Sequence, residues 1–596
     1  MADIQHHGSR QYDEQAGQFD AHYDAEKHID EKPRHSSEEE DEDDSPFEMV
    51  RIAVPNKDDP SLPCLTFRSW VLGIIFAAGL AFINQFYWFR ENPITLGGYV
   101  VQLLSFPLGY LMALVLPKRK FRTFGWEWTL NPGPFNIKEH VIISIFAGTS
   151  VGTTYGIDVV TIKKMWYHSD IGFGPSILFI LTSQIMGYSF AGLARKYLVY
   201  PAAMIWPANL VSVTLFRTFH EVQNWGRLSR TKVFWLAFIG SFVWYFLPGY
   251  AFPVLSFLPI LCFAAPNNVI ANQLGDASNG VGMLNFSLDW SYISSAYTQS
   301  PIAIPWIMAC NVFAGFVIIM WIATPIGYYK NTWNTGLMPM YTASLYTTEG
   351  KRYNISKIMT GEMLDIDKFN NYSPLRMTFT FAMTYGLSFA GLMNLIVYIA
   401  LNYGKDIARR VRQSRTMDED IHMKLMRKYT EVPHWWYLVT FAITFILAIV
   451  TCQVWNLMPC PYHPTLYLFI FGAMLPIPFW LYTRKFPESW VKHIHTPLLF
   501  IASGYMPPAP STVYTNWFIG CFFFNYIWHK YRNTAWQRYA FAMSAGLDCG
   551  LAISGILIYF AFLKAPMKEW WGNPSDSYCP LAAHGYLAQV VPTPAA

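Results

Sequence analysis

Residues 69–89 read SWVLGIIFAAGLAFINQFYWF, a run in which no side chain carries a formal charge. A helix needs about 20 predominantly apolar residues to cross the ~30 Å hydrocarbon core of a bilayer. This run therefore predicts a transmembrane helix. The chain before it is polar and the chain after it repeats the apolar pattern, so the run marks the start of a membrane domain.

The composition of the whole chain agrees with this interpretation. Of its 596 residues, 53% are hydrophobic and only 14% are charged, whereas soluble globular proteins carry roughly 25% charged residues. These values exclude a soluble enzyme, a DNA-binding protein and a secreted disulfide scaffold, and no nucleic-acid partner is predicted.

Apolar segments of similar length recur along the chain. They predict an all-α, polytopic integral membrane helical bundle with about 13 transmembrane helices. Pro and Gly interrupt several of them, as at Pro248-Gly249, and broken helices of this kind form midplane binding sites in transporters. The expected spans are 69–89, 94–116, 141–162, 175–194, 198–216, 232–248, 251–265, 302–326, 376–402, 436–453, 465–482, 513–529 and 540–563, with a short or re-entrant piece at 494–505.

A polar, acidic tail precedes the membrane domain. Residues 1–44 hold fifteen acidic and four basic residues, a net charge of −11, so the remaining 24 acids and 39 bases give the rest of the chain +15. Seven consecutive acidic residues at 38–44 repel one another and have no apolar face to bury, which predicts that residues 1–60 are disordered. No signal peptide is recognisable, so we expect the tail to lie in the cytosol.

The distribution of Lys and Arg predicts the orientation of the loops. With a cytosolic N-terminus, the basic loops 118–122 and 403–433 also face the cytosol. Loop 327–373 then lies on the outer side, where it carries two candidate N-glycosylation sequons, at Asn354 and Asn371.

Two carboxylates lie inside predicted spans, Asp158 in 141–162 and Asp548 in 540–563. Ionisable groups at membrane depth are costly and usually face a cavity or a partner. Both residues are candidates for a proton relay. A hydrogen bond between helices, worth about 0.6–2 kcal/mol, explains them equally well.

The third span is preceded by residues 131–140, NPGPFNIKEH. The first four residues form a turn signal that cannot continue a helix. Asn136 can cap the following helix with Glu139 three residues later, an approximate capping box. His140 beside Glu139 is a plausible proton-handling pair, although the whole segment is equally well explained as shaping the start of the helix.

Other kinds of site receive little support. The eight cysteines show no readable disulfide framework. Cys452, Cys460 and His463 match no zinc spacing, so no metal or cofactor is predicted. There is no G-x-x-x-x-G-K-[ST] loop, so ATP is not the implied energy source. His140 and His220 stand isolated in the sequence, without a catalytic set that would indicate a membrane enzyme.

The segment 131–140 resembles the oligopeptide transporter family of fungi and plants, and the resemblance extends from about residue 65 to 575. The second specific match is QIMGYSFAGLARK at 184–196. Further matching segments are YPAAMIWP (200–207), WYFLPGY (244–250), LDW (288–290), MPPAP (506–510) and WWGN (570–573). In the first segment the family motif corresponds to Asn131, Pro132, Gly133, Asn136, Lys138, Glu139 and His140.

The resemblance implies a helical bundle built from internal repeats that imports small peptides, glutathione in some members, together with protons; a related branch carries metal chelates. It also makes Gln184, Gly187 and Tyr188 candidates for the substrate path. Gly187 would allow close approach of a ligand, and the other two side chains can bond to peptide groups. The implied partners are a small peptide, protons and the bilayer of the plasma membrane.

The chain departs from the family after the Trp-Trp-Tyr helix that begins near Trp435. In the family several further helices and a Lys-Ile-Pro-Pro-Arg motif follow, and neither is found here. We therefore predict a tail at 1–60, a transporter-like domain at 65–575 that lacks a block around 453–464, and a C-terminal tail at 576–596. The alternatives are a metal-chelate transporter, or a non-transporting short isoform or defective copy.

Overall fold

The computed structural model describes most of the chain and consists mainly of helices. The described residues are 45–587, apart from 46, 89–95, 124–125, 153, 166–171, 201–204, 222–228, 296, 299, 361–362, 413–420, 455–466, 505, 507–508, 563–566 and 575–577. The predicted disordered tail and the predicted missing block therefore fall largely outside the described residues.

Eight helical segments of the described chain are long and apolar enough to cross a membrane. This confirms a polytopic helical membrane protein. By length and composition alone the segments are 67–86, 98–115, 173–195, 230–251, 306–329, 379–405, 434–451 and 533–562. They belong to the helices α2 (Phe67–Trp88), α3 (Gly98–Val115), α6 (Phe173–Leu198), α8 (Arg230–Trp244), α12 (Trp306–Phe316) with α13 (Thr324–Tyr329), α15 (Phe379–Arg412), α17 (His434–Val454) and α24 (Asn533–Phe562).

The other five expected spans are present as shorter or broken helices. Proline and glycine account for most of the breaks, because proline cannot donate the backbone hydrogen bond that an inner helical turn requires. Residues 251–265, for example, contain a 3-10 turn and a strand rather than one helix. The observed elements are α4 (Ile137–Gly148), α5 (Tyr155–Met165), α7 (Pro207–His220), α9 (Ile260–Ala264), α18 (Tyr467–Met474), α19 (Pro476–Lys485), α22 (Ser511–Cys521) and α23 (His529–Tyr531).

Shorter elements fill the connections. The remaining α-helices are α1 (Glu48–Ala53), α10 (Val269–Gly275), α11 (Trp290–Ile293), α14 (Ile366–Tyr372), α16 (Ile421–Met426), α20 (Thr496–Leu499) and α21 (Ile501–Gly504). Three π-helical segments are Leu247–Ala251, Val317–Ala323 and Phe522–Trp528, and the 3-10 turns are Pro253–Ser256, Thr332–Asn334, Ile355–Ile358, Trp490–His493 and Pro580–Ala583. Antiparallel pairs join β1 (Lys120–Thr123) to β2 (Trp126–Thr129), β3 (Leu258–Pro259) to β4 (Asn285–Phe286), β5 (Leu345–Tyr346) to β8 (Arg376–Met377) and β6 (Met359–Thr360) to β7 (Met363–Leu364).

Helices α8 and α24 approach each other closely, and glycine makes this contact possible. Gly546 and Gly550 are four residues apart on α24 and face the backbone of α8 at the carbonyl oxygens of Phe234 and Phe238. Small residues at this spacing let membrane helices approach until their backbones touch. Asp548 lies between the two glycines and is thereby fixed in position along α24.

We expect Gly550→Ala to destabilise the protein by about 1–3 kcal/mol, because an added Cβ would fall inside van der Waals distance of the Phe238 carbonyl oxygen. Gly555→Ala on the same helix is the matched control, since its Cβ would make only an ordinary contact with Tyr245. Thermal unfolding of the purified protein in detergent measures both. Equal unfolding temperatures for the two variants would contradict the assigned packing.

A disulfide joins Cys262 to Cys579, across 317 residues of sequence. The sequence shows no readable disulfide framework, because this pairing depends on tertiary contact rather than on spacing. Nearby, Gln273 Nε2 donates to the His584 carbonyl oxygen (2.8 Å), and the Leu587 amide donates to Gly336 (2.9 Å). Residues 578–587 are therefore fastened to the loop that follows α13.

Candidate functional site

The segment 131–140 folds around a buried ion pair between Arg68 and Glu139. The Arg68 guanidinium donates from Nη2 to both Glu139 carboxylate oxygens, each at 2.9 Å, and both side chains are fully buried. Thr66 also donates its hydroxyl to this carboxylate. A bidentate pair of this kind is fixed in geometry and couples the start of α2 to the start of α4.

The capping box predicted for Asn136 and Glu139 is confirmed. The Asn136 side chain accepts from the Lys138 and Glu139 amides, and Glu139 Oε2 accepts from the Asn136 amide at 3.2 Å. Glu139 thus caps its own helix while it neutralises Arg68. Both carboxylate oxygens are occupied by these bonds, which makes Glu139 a structural anchor in this conformation.

Asn131, Pro132 and Gly133 form the turn that receives Arg68. Arg68 Nη1 donates to the Gly133 carbonyl oxygen (2.8 Å), and Asn131 Nδ2 donates to the Ala113 and Leu116 carbonyl oxygens at the end of α3 (2.8 Å each). Gly133 has φ = +148°, a conformation that side-chain-bearing residues rarely adopt. The motif residues therefore join α2, α3 and α4.

Lys138 lies on the outer side of the same turn and joins three separate parts of the chain. Its Nζ forms an ion pair with Asp58 Oδ1 (2.8 Å) and donates to the Tyr429 hydroxyl (2.6 Å), which itself donates to Asp58 Oδ2 (2.6 Å). The polar segment before α2 is thus held against the segment before α17.

We expect Asp58→Asn to lower stability by about 0.2–1 kcal/mol, the usual range for a partly exposed ion pair, and by the same amount at pH 5 and pH 7. The hydrogen bond from Lys138 holds the Asp58 pKa below its ordinary value of 3.8. A depressed pKa means that the stabilisation is complete above the unfolded-state value and is lost only as the pH falls below it. Thermal unfolding at both pH values is the measurement, and a loss confined to pH 7 would contradict the prediction.

His140 is fully buried, and its partner is His220 of α7 rather than the neighbouring Glu139. His140 Nδ1 lies 3.0 Å from His220 Nε2, and His140 Nε2 lies 2.8 Å from the Gln102 carbonyl oxygen. The interpretation of His140 and His220 as isolated is therefore wrong. The carbonyl accepts only, so His140 Nε2 carries a proton; when the ring is neutral, its Nδ1 accepts from His220 Nε2.

The two predicted intramembrane carboxylates have different surroundings. Asp158 lies in the first turn of α5 and accepts from Trp88 Nε1 of α2 (2.9 Å) at an exposed position. Asp548 of α24 is partly buried and accepts from Trp290 Nε1 (2.7 Å) and from the Ser294 hydroxyl (3.0 Å). Within the part of the chain that the structure describes, no basic side chain forms an ion pair with Asp548.

Gln184, Gly187 and Tyr188 all lie on the exposed side of α6. Tyr188 is 59% exposed, and Gln184 and Gly187 are exposed as well. Other residues of α6 pack against α17, where Tyr437 covers Gly192 and Phe190 meets Phe441 at 4.7 Å between ring centroids. In this conformation the three residues therefore do not converge with Asp548 or His140.

Comparison with known proteins shows to which family this chain belongs. The family profile described as "OPT oligopeptide transporter protein" matches residues 64–475 and 463–562. The chain belongs to the oligopeptide transporter family. Membership and the eight apolar helices together make it an integral multi-pass membrane protein, and they support peptide transport as its activity.

Plant members of the oligopeptide transporter family are similar over most of their length. Oligopeptide transporter 5 of Arabidopsis thaliana is 33% identical over 715 positions, which cover 91% of this chain and 95% of the relative. Oligopeptide transporter 7 of the same plant is 34% identical, and the alignment covers 90% of this chain and 91% of that relative. No solved structure gives a significant match.

Asn136 and Glu139 of the oligopeptide transporter motif were predicted from the sequence, but the contact of Glu139 with Arg68 and that of His140 with His220 were not. Arg68 lies one residue before the uncharged run of 69–89. A charged residue at the edge of a predicted span was therefore the one sequence feature that could have indicated a buried ion pair. The partners of His140 and Lys138 are 80 and 291 residues away, and no local pattern indicates contacts at that distance.

Proposed function

We propose that this family member is a proton-coupled symporter that carries small oligopeptides, of tetra- and pentapeptide size and including glutathione, across the plasma membrane. Asp548 is the observation that supports coupling. It is a carboxylate on a spanning helix that is held by two neutral donors and by no described cation. Such a group can take up and release a proton without breaking an ion pair.

Glu139 is the weaker candidate for the proton-carrying residue. Its charge is neutralised by Arg68 at 2.9 Å, and protonation would leave a buried guanidinium without its counter-ion, at a cost of several kcal/mol. His140 and His220 form a second candidate relay, since a histidine pair can share one added proton. Asp158, bonded to Trp88, is the third.

Uptake of a labelled tetrapeptide and of labelled glutathione tests the proposal. The chain is expressed in cells that lack their own peptide transporters, and uptake is measured at pH 5 and pH 7. We expect uptake above the empty-vector control that is faster at pH 5 and is abolished by a protonophore. Uptake equal to empty vector at both pH values rejects peptide transport, and competition by a metal chelate but not by peptide would favour the chelate branch.

A cytosolic N-terminus is part of the proposal. Cysteine pairs are oxidised on the extracytosolic side of a membrane, and residues 578–587, which carry Cys579, pack onto the loop after α13. Asn354 and Asn371 belong to that same loop and are both exposed. The contacts of Asp58 with Lys138 and Tyr429 lie on segments that the charge distribution assigns to the opposite side.

We expect both sequons to carry glycans. The wild-type protein should migrate faster after endoglycosidase treatment, and Asn354→Gln and Asn371→Gln should each remove about half of that shift. Asn331 and Asn402, which are outside any sequon, serve as control positions for the same substitution. A wild-type protein that endoglycosidase leaves unchanged would argue for the reverse orientation.

A non-transporting short form is the second candidate, because the family profile matches in two overlapping stretches that meet at 463–475. The alignment with oligopeptide transporter 5 runs over 715 positions, whereas the chain has 596 residues, so at least 119 aligned positions have no residue here. This supports a missing internal block near 453–464. Sequencing the transcript across codons 440–470 distinguishes a genuine short form from a missing stretch of coding sequence.

A further inference from the structure

The helix α22 begins inside the protein, and its first turn is occupied by hydroxyl side chains. Pro510 precedes it in an extended conformation and provides no capping side chain. The first N–H groups of any helix lack partners within the helix. With the π-helical segment and α23, the helical path continues to Tyr531, so one end of a membrane-length helix lies in the core.

Three hydroxyls at this end have no hydrogen-bond partner among the described residues. They belong to Ser511, Thr512 and Thr515, whose side chains are 0%, 0% and 6% exposed. At 3.6 residues per turn the three positions fall within about 100° of the helix circumference, so they share one face. Each buried unsatisfied group costs about 1–3 kcal/mol, which calls for a compensating role.

The loop that faces this end of α22 packs so closely that position 282 has room only for the hydrogen atom of a glycine. Gly282 has φ = +62°, and a Cβ there would collide with the Ser511 hydroxyl. Asn516, one turn further along, accepts from the Ser287 amide (2.8 Å), and its Nδ2 donates to the Asn285 carbonyl oxygen (3.4 Å). The only acidic side chain in this loop, Asp276, is already bonded to Ser278 and Asn279.

We propose that the N-terminal turn of α22, with Ser511, Thr512 and Thr515, binds the terminal carboxylate of the transported peptide. A helix N-terminus carries roughly half a positive charge, and first-turn N–H groups and hydroxyls are donors suited to a carboxylate. The Val513 N–H already donates to the Pro510 carbonyl oxygen (3.1 Å), so the inference rests on the three hydroxyls. Half-helix ends have this role towards anionic substrate groups in other transporters. The inference rests on the proposed peptide transport.

The enclosed position of the three hydroxyls has a consequence for the transport cycle. Because their oxygen atoms are inaccessible here, the substrate can reach them only when the loop 276–287, which packs against Ser511 through Gly282, moves away. The present conformation is therefore occluded at this end of α22, and the peptide carboxylate would replace the missing hydrogen-bond partners after opening.

Binding of tetra-alanine and of tetra-alanine amide to the purified full-length protein tests the inference. We expect the free acid to bind at least tenfold more tightly than the amide. Thr512→Val should reduce that preference about tenfold without lowering the unfolding temperature, because it removes a hydroxyl that makes no bond in this conformation. Thr444→Val on α17 is the matched control, since its hydroxyl already bonds to Thr440 (2.8 Å).

The outcomes separate this inference from the proposed function. Equal binding of acid and amide by the wild-type protein overturns the carboxylate site and leaves peptide transport standing. Binding of neither compound, together with no uptake, overturns both. A Thr512→Val protein that keeps the full preference for the acid overturns the assignment of this hydroxyl, and Ser511→Ala applies the same criterion to its neighbour.

Discussion

Replacing Arg68 with alanine is expected to remove most of the folded protein from the membrane. The substitution leaves the Glu139 carboxylate buried without its cation, and breaking a buried ion pair in this way costs about 3–5 kcal/mol. That is a large part of the ~5–15 kcal/mol by which proteins are stable. The turn at Asn131–Gly133 also loses its bonds from the guanidinium. Surface abundance and fluorescence-detected gel filtration are the measurements.

The exposed pair Lys351–Glu349 supplies the control. Its side chains are 80% and 73% exposed, so Lys351→Ala should change stability by less than about 1 kcal/mol. The double substitution Arg68→Met with Glu139→Met removes both charges and should recover part of the lost abundance, because apolar replacement of a buried pair is often neutral. If Arg68→Ala alone is as abundant as wild type, the ion pair is not an anchor of the fold.

Asp548→Asn is expected to reduce proton-driven peptide uptake at least tenfold. Asparagine cannot exchange a proton at this position, but its carbonyl oxygen can still accept from Trp290 and Ser294. The helix contact at Gly546 and Gly550 is untouched, so abundance should stay near the wild-type level. Uptake at pH 5 and pH 7 and peptide exchange without a proton gradient are the measurements, and exchange should persist.

Asp158→Asn is the comparison that assigns the proton-carrying group. It makes the same chemical change at a carboxylate that also accepts from a tryptophan, Trp88. If uptake by Asp158→Asn loses its pH dependence while uptake by Asp548→Asn remains proton-coupled, then Asp158 is the proton-carrying residue. Unchanged pH dependence in both variants would leave the His140–His220 pair and, less favourably, Glu139 as the remaining candidates.

The parts of the fold that depend on local sequence patterns could be predicted from the sequence. Uncharged runs located eight membrane-length helices, and the spacing of Asn136 and Glu139 predicted a capping box that the structure contains. The apolar composition of residues 251–265 predicts a membrane span there. The proline residues convert it into short pieces whose backbone is paired through β3 and β4.

The candidate site was predicted less completely, since its groups are paired over long distances in sequence. Glu139 and His140 are neighbours in the chain, yet successive residues of a helix point in different directions. One therefore meets Arg68 and the other His220. The unpartnered hydroxyls of α22 gave no signal at all, because serine and threonine after a proline are ordinary at the start of a helix.

The bridge between Cys262 and Cys579 also decides how this protein behaves once its backbone is cut. A single protease cleavage anywhere between those two positions leaves two fragments that remain one covalent molecule. They should migrate together in an electrophoresis gel without reductant and separate only with it. Cleavage before residue 262 has no such protection, so one gel run under both conditions maps which half of the transporter was cut.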